Sequence, residues 1–95
     1  MLKTFTKEIE SQQEGTYLVK FGAPWCGPCR QLAPIMEALD EEGYKVFEVN
    51  VDEEQDLTSK YGIRSVPTTL VFKNKELVQT IVGVKSKQDL INLFA

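Results

Sequence analysis

Apolar residues along the chain fall into two patterns: short runs rich in β-branched and aromatic residues, and stretches with apolar positions three or four apart. The first pattern is typical of buried strands and the second of helices that pack on one face. The runs predict strands over residues 2–5, 16–22, 46–51, 68–73 and 77–82. The helical stretches predict helices from Thr6 to about Gln13, from Cys26 or Gly27 to Glu42, from Asp52 to Tyr61-Gly62, and from Ser86 to Phe94. Their order predicts an α/β fold, a central mixed β-sheet flanked by helices on both faces.

The last two predicted strands form an antiparallel hairpin around Asn74 and Lys75. A two-residue type I′ turn would place Lys75 at positive φ, where glycine is usual and a lysine is unfavourable. We therefore expect a modified turn.

Composition limits the class of protein. With 42% hydrophobic and 26% charged residues and no linker or repeat, residues 1–95 predict a single domain. The net charge is only -3, with acids and bases interspersed, which argues against a nucleic-acid surface and against a polybasic membrane patch. The first residues lack the apolar core of a signal peptide, so a cytoplasmic location is expected. A monomer is the default expectation.

The only two cysteines, Cys26 and Cys29, lie at the start of the longest predicted helix. A disulfide across so short a loop stabilises a fold by only about 2 kcal/mol, so a structural role explains the pair poorly. Structural zinc takes about four ligands, usually cysteine and histidine, and the chain has no histidine. Covalent haem attachment is typical of a C-x-x-C-H sequence, but Arg30 follows Cys29. We therefore interpret the pair as redox-active.

Thiol exchange needs a thiolate, an accessible sulfur and a second thiol that resolves the mixed disulfide. At a helix N terminus, unpaired N–H groups and the helix dipole would stabilise the Cys26 thiolate and make it the attacking group. Cys29, one turn further on, would be the shielded resolving thiol. Pro28 suits the first helical turn, and Gly27 leaves little side chain to obstruct an approaching disulfide.

Over essentially its whole length, the chain resembles the thioredoxin family. The matching residues are Trp25-Cys26-Gly27-Pro28-Cys29, Pro34, Asp52, Tyr61-Gly62-Ile63-Arg64, Val66-Pro67-Thr68, Phe72-Lys73-Asn74 and Gly83. The resemblance implies the thioredoxin fold and a protein disulfide reductase that needs no bound cofactor. It implies disulfide-containing proteins as substrates and a thioredoxin reductase as electron donor. It further implies a cis-proline loop at Val66-Pro67, where a substrate segment pairs with the Val66 backbone as an added strand. The implied docking surface around Cys26 comprises Trp25, Gly27, Pro28, Val51, Ser65, Val66, Pro67 and Gly83.

Two positions depart from the family pattern in the sign of their charge. Most members have a buried aspartate on the strand before the motif and a lysine on the next strand, whereas this chain has Lys20 and Glu48. An unpaired charge in a sheet interior costs several kcal/mol, so we expect a reversed ion pair beneath the active site. The alternative is that both side chains reach solvent independently. Glu48 is the candidate base for the resolving cysteine, and Lys20 would favour the Cys29 thiolate.

Gly22 stands where many members have an aromatic residue, so one side of the site is expected to be less shielded. Ser65 stands where a glycine is common in the docking loop. Two other functions remain open. An oxidase or isomerase would use the same fold and cysteines at a more oxidising potential. A binding module would use the docking surface without needing the thiols.

Overall fold

The computed structural model describes residues 2–95, which form one five-stranded sheet with four helices. The strands are β1 (Lys3–Thr4), β2 (Thr16–Gly22), β3 (Val46–Asn50), β4 (Thr68–Lys73) and β5 (Glu76–Val82). Their order across the sheet is β1-β3-β2-β4-β5. β3 pairs in parallel with β1 and β2, whereas β4 pairs antiparallel with β2 and β5. The predicted mixed sheet is therefore confirmed, with a first strand shorter than expected.

The helices are α1 (Lys7–Gln12), α2 (Gly27–Glu41), α3 (Gln55–Lys60) and α4 (Lys87–Asn92). The hydroxyls of Thr6 and Ser86 accept N–H groups from the first turns of α1 and α4, as side-chain caps do. α3 begins at Gln55 rather than at Asp52, because the Asn50 side chain accepts the Asp52 N–H and holds the intervening residues in a turn.

Two apolar clusters lie on opposite faces of the sheet, because successive strand residues point to opposite sides. Leu18 and Val71 belong to the cluster that includes three of the four buried residues of α2 and Leu90 of α4. Val19 and Leu70 belong to the other cluster, which packs against Ile9 of α1 and contains Leu57 of α3. Helices therefore cover both faces, as the order of the elements predicts.

The hairpin between β4 and β5 has an unmodified two-residue turn. Lys73 pairs with Glu76, and both intervening residues have positive φ, 50° at Asn74 and 74° at Lys75. Our expectation of a modified turn is therefore wrong. Asn74 holds the turn in place, since its side chain accepts the Gly15 N–H and its own N–H donates to the Gly15 carbonyl, both at 2.9 Å. The irregularity lies further along, as a register shift in the pairing between β4 and β5.

Two tyrosines on the α1 and α3 side of the sheet differ in how their hydroxyls are satisfied. The Tyr17 side chain is fully buried, and its ring stacks on Phe72 at 4.9 Å, but its hydroxyl has no hydrogen-bond partner. Burial, followed by the charge of Glu10, raises the pKa of Tyr17. The Tyr61 hydroxyl instead donates to Glu10, whose carboxylate also accepts Lys60 at 2.8 Å.

Partial burial of Glu10 opposes its ionisation. The hydrogen bonds from Lys60 and Tyr61, together with the charges of Lys60 and Lys7, outweigh that effect and lower the pKa of Glu10 below its ordinary value. Burial and the bond to Glu10 raise the pKa of Tyr61. These contacts tie α1 to the end of α3.

Candidate active site

The cysteine pair lies between the end of β2 and the first turn of α2. β2 ends at Gly22, and Cys26 is the residue that caps α2, with Pro28 in the first turn. Cys26 and Cys29 are joined as a disulfide, with their Cα atoms 5.3 Å apart. The Cys29 N–H donates to Cys26 Sγ at 3.2 Å. Cys26 Sγ therefore receives one of the otherwise unpaired N–H groups of the helix N terminus, as predicted for the attacking sulfur.

Burial does not distinguish the two cysteines in this disulfide state. Cys26 is 5% exposed and Cys29 is 4% exposed, and both pack with Ala23 and, in part, with Val51 and Val66. The difference between the sulfurs is one of contacts. Cys26 Sγ has the helix N–H, whereas Cys29 lines a cavity behind the motif.

The loop before β4 packs against this disulfide. The Val66-Pro67 peptide bond is cis, as the resemblance implies, and Val66 packs against the cysteine cluster. The Pro67 carbonyl accepts the Gly83 N–H at 2.9 Å, and the Ser65 carbonyl accepts the Thr68 hydroxyl at 2.7 Å. Within residues 2–95, the N–H and C=O groups of Val66 have no hydrogen-bond partner. They are the backbone groups that an added strand would need.

A shallow cavity of about 390 Å³ lies beside the disulfide, lined by Trp25, Val51, Thr58, Ile63, Arg64, Ser65 and Val66. Trp25 is 65% exposed, and its indole N–H donates to Asp52 at 2.9 Å, which fixes the ring at the rim. Four predicted docking residues therefore lie around one groove, namely Trp25, Val51, Ser65 and Val66. Gly27 and Pro28 are exposed at the start of α2, whereas Gly83 contacts the site through Pro67.

Sequence reasoning missed Thr58, Ile63 and Arg64 as groove residues. A signal for two of them was present, because Ile63 and Arg64 belong to the matched family motif and directly precede Ser65. Thr58 is on α3, and nothing in its own sequence context distinguishes it from other helix residues.

A second cavity, of about 330 Å³, lies behind the motif and contains both residues of reversed charge in its lining. Lys20 and Glu48 are Cα partners across β2 and β3. Lys20 is only 7% exposed, yet no ion pair within 4 Å joins these two residues, so the expected reversed pair is not formed. The cavity explains this, because it gives each charged group access to water without requiring the other as partner. The alternative of independent solvation is the one that the structure favours.

Gly22 lines this cavity next to Cys29. A Cβ atom at Gly22 would lie 3.2 Å from Cys29 Sγ and 3.8 Å from Lys20 Cε. Because glycine has no side chain, Cys29 and Lys20 both line the cavity beside this position. The expectation that Gly22 leaves this side of the site less shielded than in other family members stays a prediction.

Taken together, a cysteine pair capping a helix, a cis-proline loop packed against it and a mixed sheet beneath define the class of protein as a thiol–disulfide oxidoreductase. Within the described residues, no helix is long and apolar enough to cross a membrane.

Comparison with known proteins narrows this class. The family model described as Thioredoxin matches residues 1–95. The chain is 48% identical to a thioredoxin of Bacillus subtilis (strain 168) over 85 residues, 83% of this chain and 82% of that protein. It is 45% identical to a thioredoxin of Rickettsia bellii (strain RML369-C), covering 94% of this chain and 87% of that protein.

Among solved structures, a point mutant of a thioredoxin from Halobacterium salinarum NRC-1 superposes with a TM-score of 0.87 at 35% identity. The match covers 99% of this chain and 86% of that one. The chain therefore belongs to the thioredoxin family, and it has the thioredoxin fold. It is a protein disulfide reductase. Membership also implies, in general terms, disulfide-containing protein substrates and a reductase partner.

Proposed function

We propose that Cys26 is the attacking thiolate of this reductase and Cys29 the resolving thiol. The observation that carries this assignment is the hydrogen bond from the Cys29 N–H to Cys26 Sγ at 3.2 Å. In the reduced protein, the same N–H and the dipole of the 15-residue helix α2 stabilise negative charge on Cys26. Cys29 lies within the first turn and has no comparable donor among the described residues.

The reaction then runs in two exchanges. The Cys26 thiolate attacks one sulfur of a substrate disulfide, the substrate S–S bond breaks, and the other substrate sulfur leaves as a thiolate. The Cys29 thiolate next attacks Cys26 Sγ, which releases the second substrate thiolate and leaves the Cys26–Cys29 disulfide. The substrate gains two electrons. A thioredoxin reductase is our proposed donor for returning the pair to the dithiol.

Substrate proteins dock along the groove beside Trp25 and pair with the Val66 backbone. Support comes from the unpartnered N–H and C=O groups of Val66 within residues 2–95 and from the contact of this residue with the cysteine cluster. Gly27 and Pro28 add exposed surface with little side chain to obstruct the approach to Cys26. Pro67 and Gly83 hold the loop through the bond between them.

Reduction of insulin disulfides tests this function. With dithiothreitol as donor, the wild type should accelerate insulin precipitation, and replacing either cysteine with serine should abolish the acceleration. Parallel assays with candidate reductases and NADPH would identify the physiological donor. No acceleration with dithiothreitol or with any reductase would refute the reductase assignment. Equilibration against glutathione would reveal a more oxidising potential, which an oxidase or isomerase would have.

We propose in addition that Glu48 accepts the Cys29 proton, directly or through a water in the cavity behind the motif. Glu48 and Cys29 line that cavity together, and the chain offers no histidine as an alternative base. Lys20, on the same wall, cannot take a proton while it is charged, and we assign it the role of favouring the Cys29 thiolate.

Replacing Glu48 with glutamine keeps the size of the side chain and removes the base. The Glu48→Gln variant should slow release of the reduced substrate and shift its pH dependence. The Glu41→Gln variant is a matched control, because Glu41 is exposed on α2 and does not line the cavity. Unchanged release rates and pH profile in Glu48→Gln would show that Glu48 is not the base.

Residues 1–95 are proposed to act as one domain, as a monomer and in the cytoplasm. The single sheet and the small net charge of -3 support this reading. Light scattering coupled to size exclusion tests the oligomeric state, and cell fractionation tests the location. A stable dimer or a secreted protein would contradict it.

A further inference from the structure

The cavity behind the motif reaches the resolving cysteine and shares no lining residue with the protein-docking groove. Cys29 lines this cavity and Cys26 does not, whereas Trp25 and Val66 line the groove. Its volume of about 330 Å³ is at the lower end of small-molecule sites. Unlike the groove, it is not lined by Val66, whose N–H and C=O groups could pair with a strand segment. The structure thus gives Cys29 an approach that suits a small molecule.

The charge inside the cavity selects among small molecules. Lys20 is 7% exposed and lines the cavity, and its ammonium has no hydrogen-bond or ion-pair partner within residues 2–95. Arg30, Glu48, Glu53 and Glu54 also line the cavity, but all are more exposed, so solvent screens their charges more strongly. The least screened charge near Cys29 is therefore positive.

The distances suit a small ligand. Cys29 Sγ and Lys20 Cε lie 3.2 Å and 3.8 Å from the same point, the position of a Cβ atom at Gly22. A molecule that carries a thiol and a carboxylate a few bonds apart can reach both groups at once. The Lys20 side chain is 7% exposed and its ammonium has no partner among residues 2–95, so a carboxylate in the cavity would give it an opposite charge at short range.

We propose that this cavity is a binding site for a small thiol bearing a carboxylate, or for its disulfide, and that exchange there occurs at Cys29. The proposal rests on the disulfide-exchange activity of the cysteine pair. The thiolate of the small molecule attacks Cys29 Sγ, the Cys26–Cys29 bond breaks, and the electron pair goes to Cys26 Sγ, which already accepts the Cys29 N–H at 3.2 Å. The better-stabilised thiolate is then the leaving group.

A second molecule of the same thiol completes the reaction. It attacks the small-molecule sulfur of the mixed disulfide, which releases Cys29 as a thiolate and forms a symmetrical small disulfide. Two small thiols are oxidised, the cysteine pair gains two electrons, and the two thiol protons end on Cys26 and Cys29. This route would supply electrons to the pair without occupying the protein-docking groove.

The test uses Cys26→Ser protein, in which Cys29 is the only thiol and forms the same mixed disulfide. It is treated with the disulfide of 3-mercaptopropionate or with that of 2-mercaptoethanol, and adduct formation is timed by intact-mass spectrometry. Each rate is divided by the rate for the same chain unfolded in urea, which removes differences in reagent reactivity. The anion preference is the normalised rate with the 3-mercaptopropionate disulfide divided by that with the 2-mercaptoethanol disulfide. We expect a value of about ten in the folded protein, the effect of one partly screened charge at roughly 5 Å.

Two further substitutions in the Cys26→Ser background assign the preference to the cavity. Lys20→Met should reduce it to about one, whereas Lys73→Met, at an exposed lysine at the end of β4 outside the cavity, should leave it unchanged. Gly22→Leu should slow both reagents at least tenfold, because its side chain begins 3.2 Å from Cys29 Sγ. Circular dichroism confirms that each variant is folded. The anion preference of the Cys26→Ser protein itself, in which Gly22 and Lys20 are unchanged, is measured without these variants and does not depend on them.

Equal normalised rates for the two reagents, or full reactivity of the folded Gly22→Leu variant, would overturn the proposal. So would a Lys20→Met variant that keeps the anion preference. Insulin reduction by the wild type, measured in the same buffer with dithiothreitol, separates this outcome from a failure of the reductase function.

Discussion

Replacing Tyr17 with phenylalanine should stabilise this protein. The Tyr17 side chain is fully buried, and its hydroxyl is the one buried side-chain polar atom without a partner within residues 2–95. Phenylalanine keeps the ring that stacks on Phe72 at 4.9 Å and removes only the unsatisfied group. An unpartnered buried hydroxyl costs about 1–3 kcal/mol in proteins, and part of that cost is recovered when it is deleted. We expect the free energy of unfolding to rise by about 1–2 kcal/mol.

Tyr61 supplies a matched control for the same chemical change. Its hydroxyl donates to the Glu10 carboxylate, so Tyr61→Phe removes a satisfied bond. Glu10 keeps Lys60 and some solvent contact, so we expect a loss of only about 1 kcal/mol. The same substitution should therefore have opposite signs at the two positions.

Urea denaturation followed by circular dichroism measures both variants. For a domain of this size, each kcal/mol corresponds to a shift of about 4–8 °C in Tm, which calorimetry would resolve. A Tyr17→Phe variant that is less stable than the wild type at unchanged m-value would contradict this prediction, since the hydroxyl would then make a favourable interaction in the folded state.

Three further predictions test other features of the structure. Because the pKa of Glu10 is lowered in the folded protein, its carboxylate stabilises the fold above the ordinary carboxyl pKa, and this stabilisation is lost as the pH falls through the folded pKa. The free energy of unfolding should therefore decline less steeply between pH 7 and pH 3 in Glu10→Gln than in the wild type. Equal slopes would contradict this. Lys75→Gly should raise the free energy of unfolding by about 0.5–1 kcal/mol, because Lys75 has a φ of 74° that glycine adopts without strain. Lys85 does not have a positive φ, so Lys85→Gly should lower the free energy of unfolding. Asp52→Ala removes the carboxylate that accepts the Trp25 indole N–H at 2.9 Å, so KM for insulin should rise by about two- to fivefold with little change in kcat. An unchanged KM would show that fixing the ring does not aid docking.

The spacing of apolar residues was sufficient to predict the layers of the fold. Leu18 and Val19 are adjacent in β2 and enter opposite apolar clusters, as strand geometry requires. The cysteine chemistry followed equally directly, because a close pair at a helix start has few alternative uses in a chain without histidine. The cis bond at Val66-Pro67 came from the family resemblance, since periodicity carries no information about peptide isomers.

Other features depended on tertiary contacts that no local pattern contains. Lys75 adopts positive φ because Asn74 is bonded to Gly15, far away in the sequence, and this fixes the turn despite the unfavourable residue. Lys20 and Glu48 lie on neighbouring strands, as the sequence predicts, but the absence of an ion pair between them is not predictable from their positions. It depends on the cavity that both residues line, which forms where Gly22 provides no side chain.

Covalent trapping with a protein disulfide tests whether Cys26 is the attacking sulfur. Each single cysteine-to-serine variant is mixed in reduced form with oxidised insulin, and the mixed disulfide is quantified by mass spectrometry under non-reducing conditions. The Cys29→Ser variant should accumulate a complex through Cys26, because the resolving thiol is absent. The Cys26→Ser variant should form at least about tenfold less complex with this protein substrate, since the thiolate stabilised by the helix N terminus has been removed. A larger yield of insulin complex through Cys29 than through Cys26 would show that Cys26 is not the attacking sulfur.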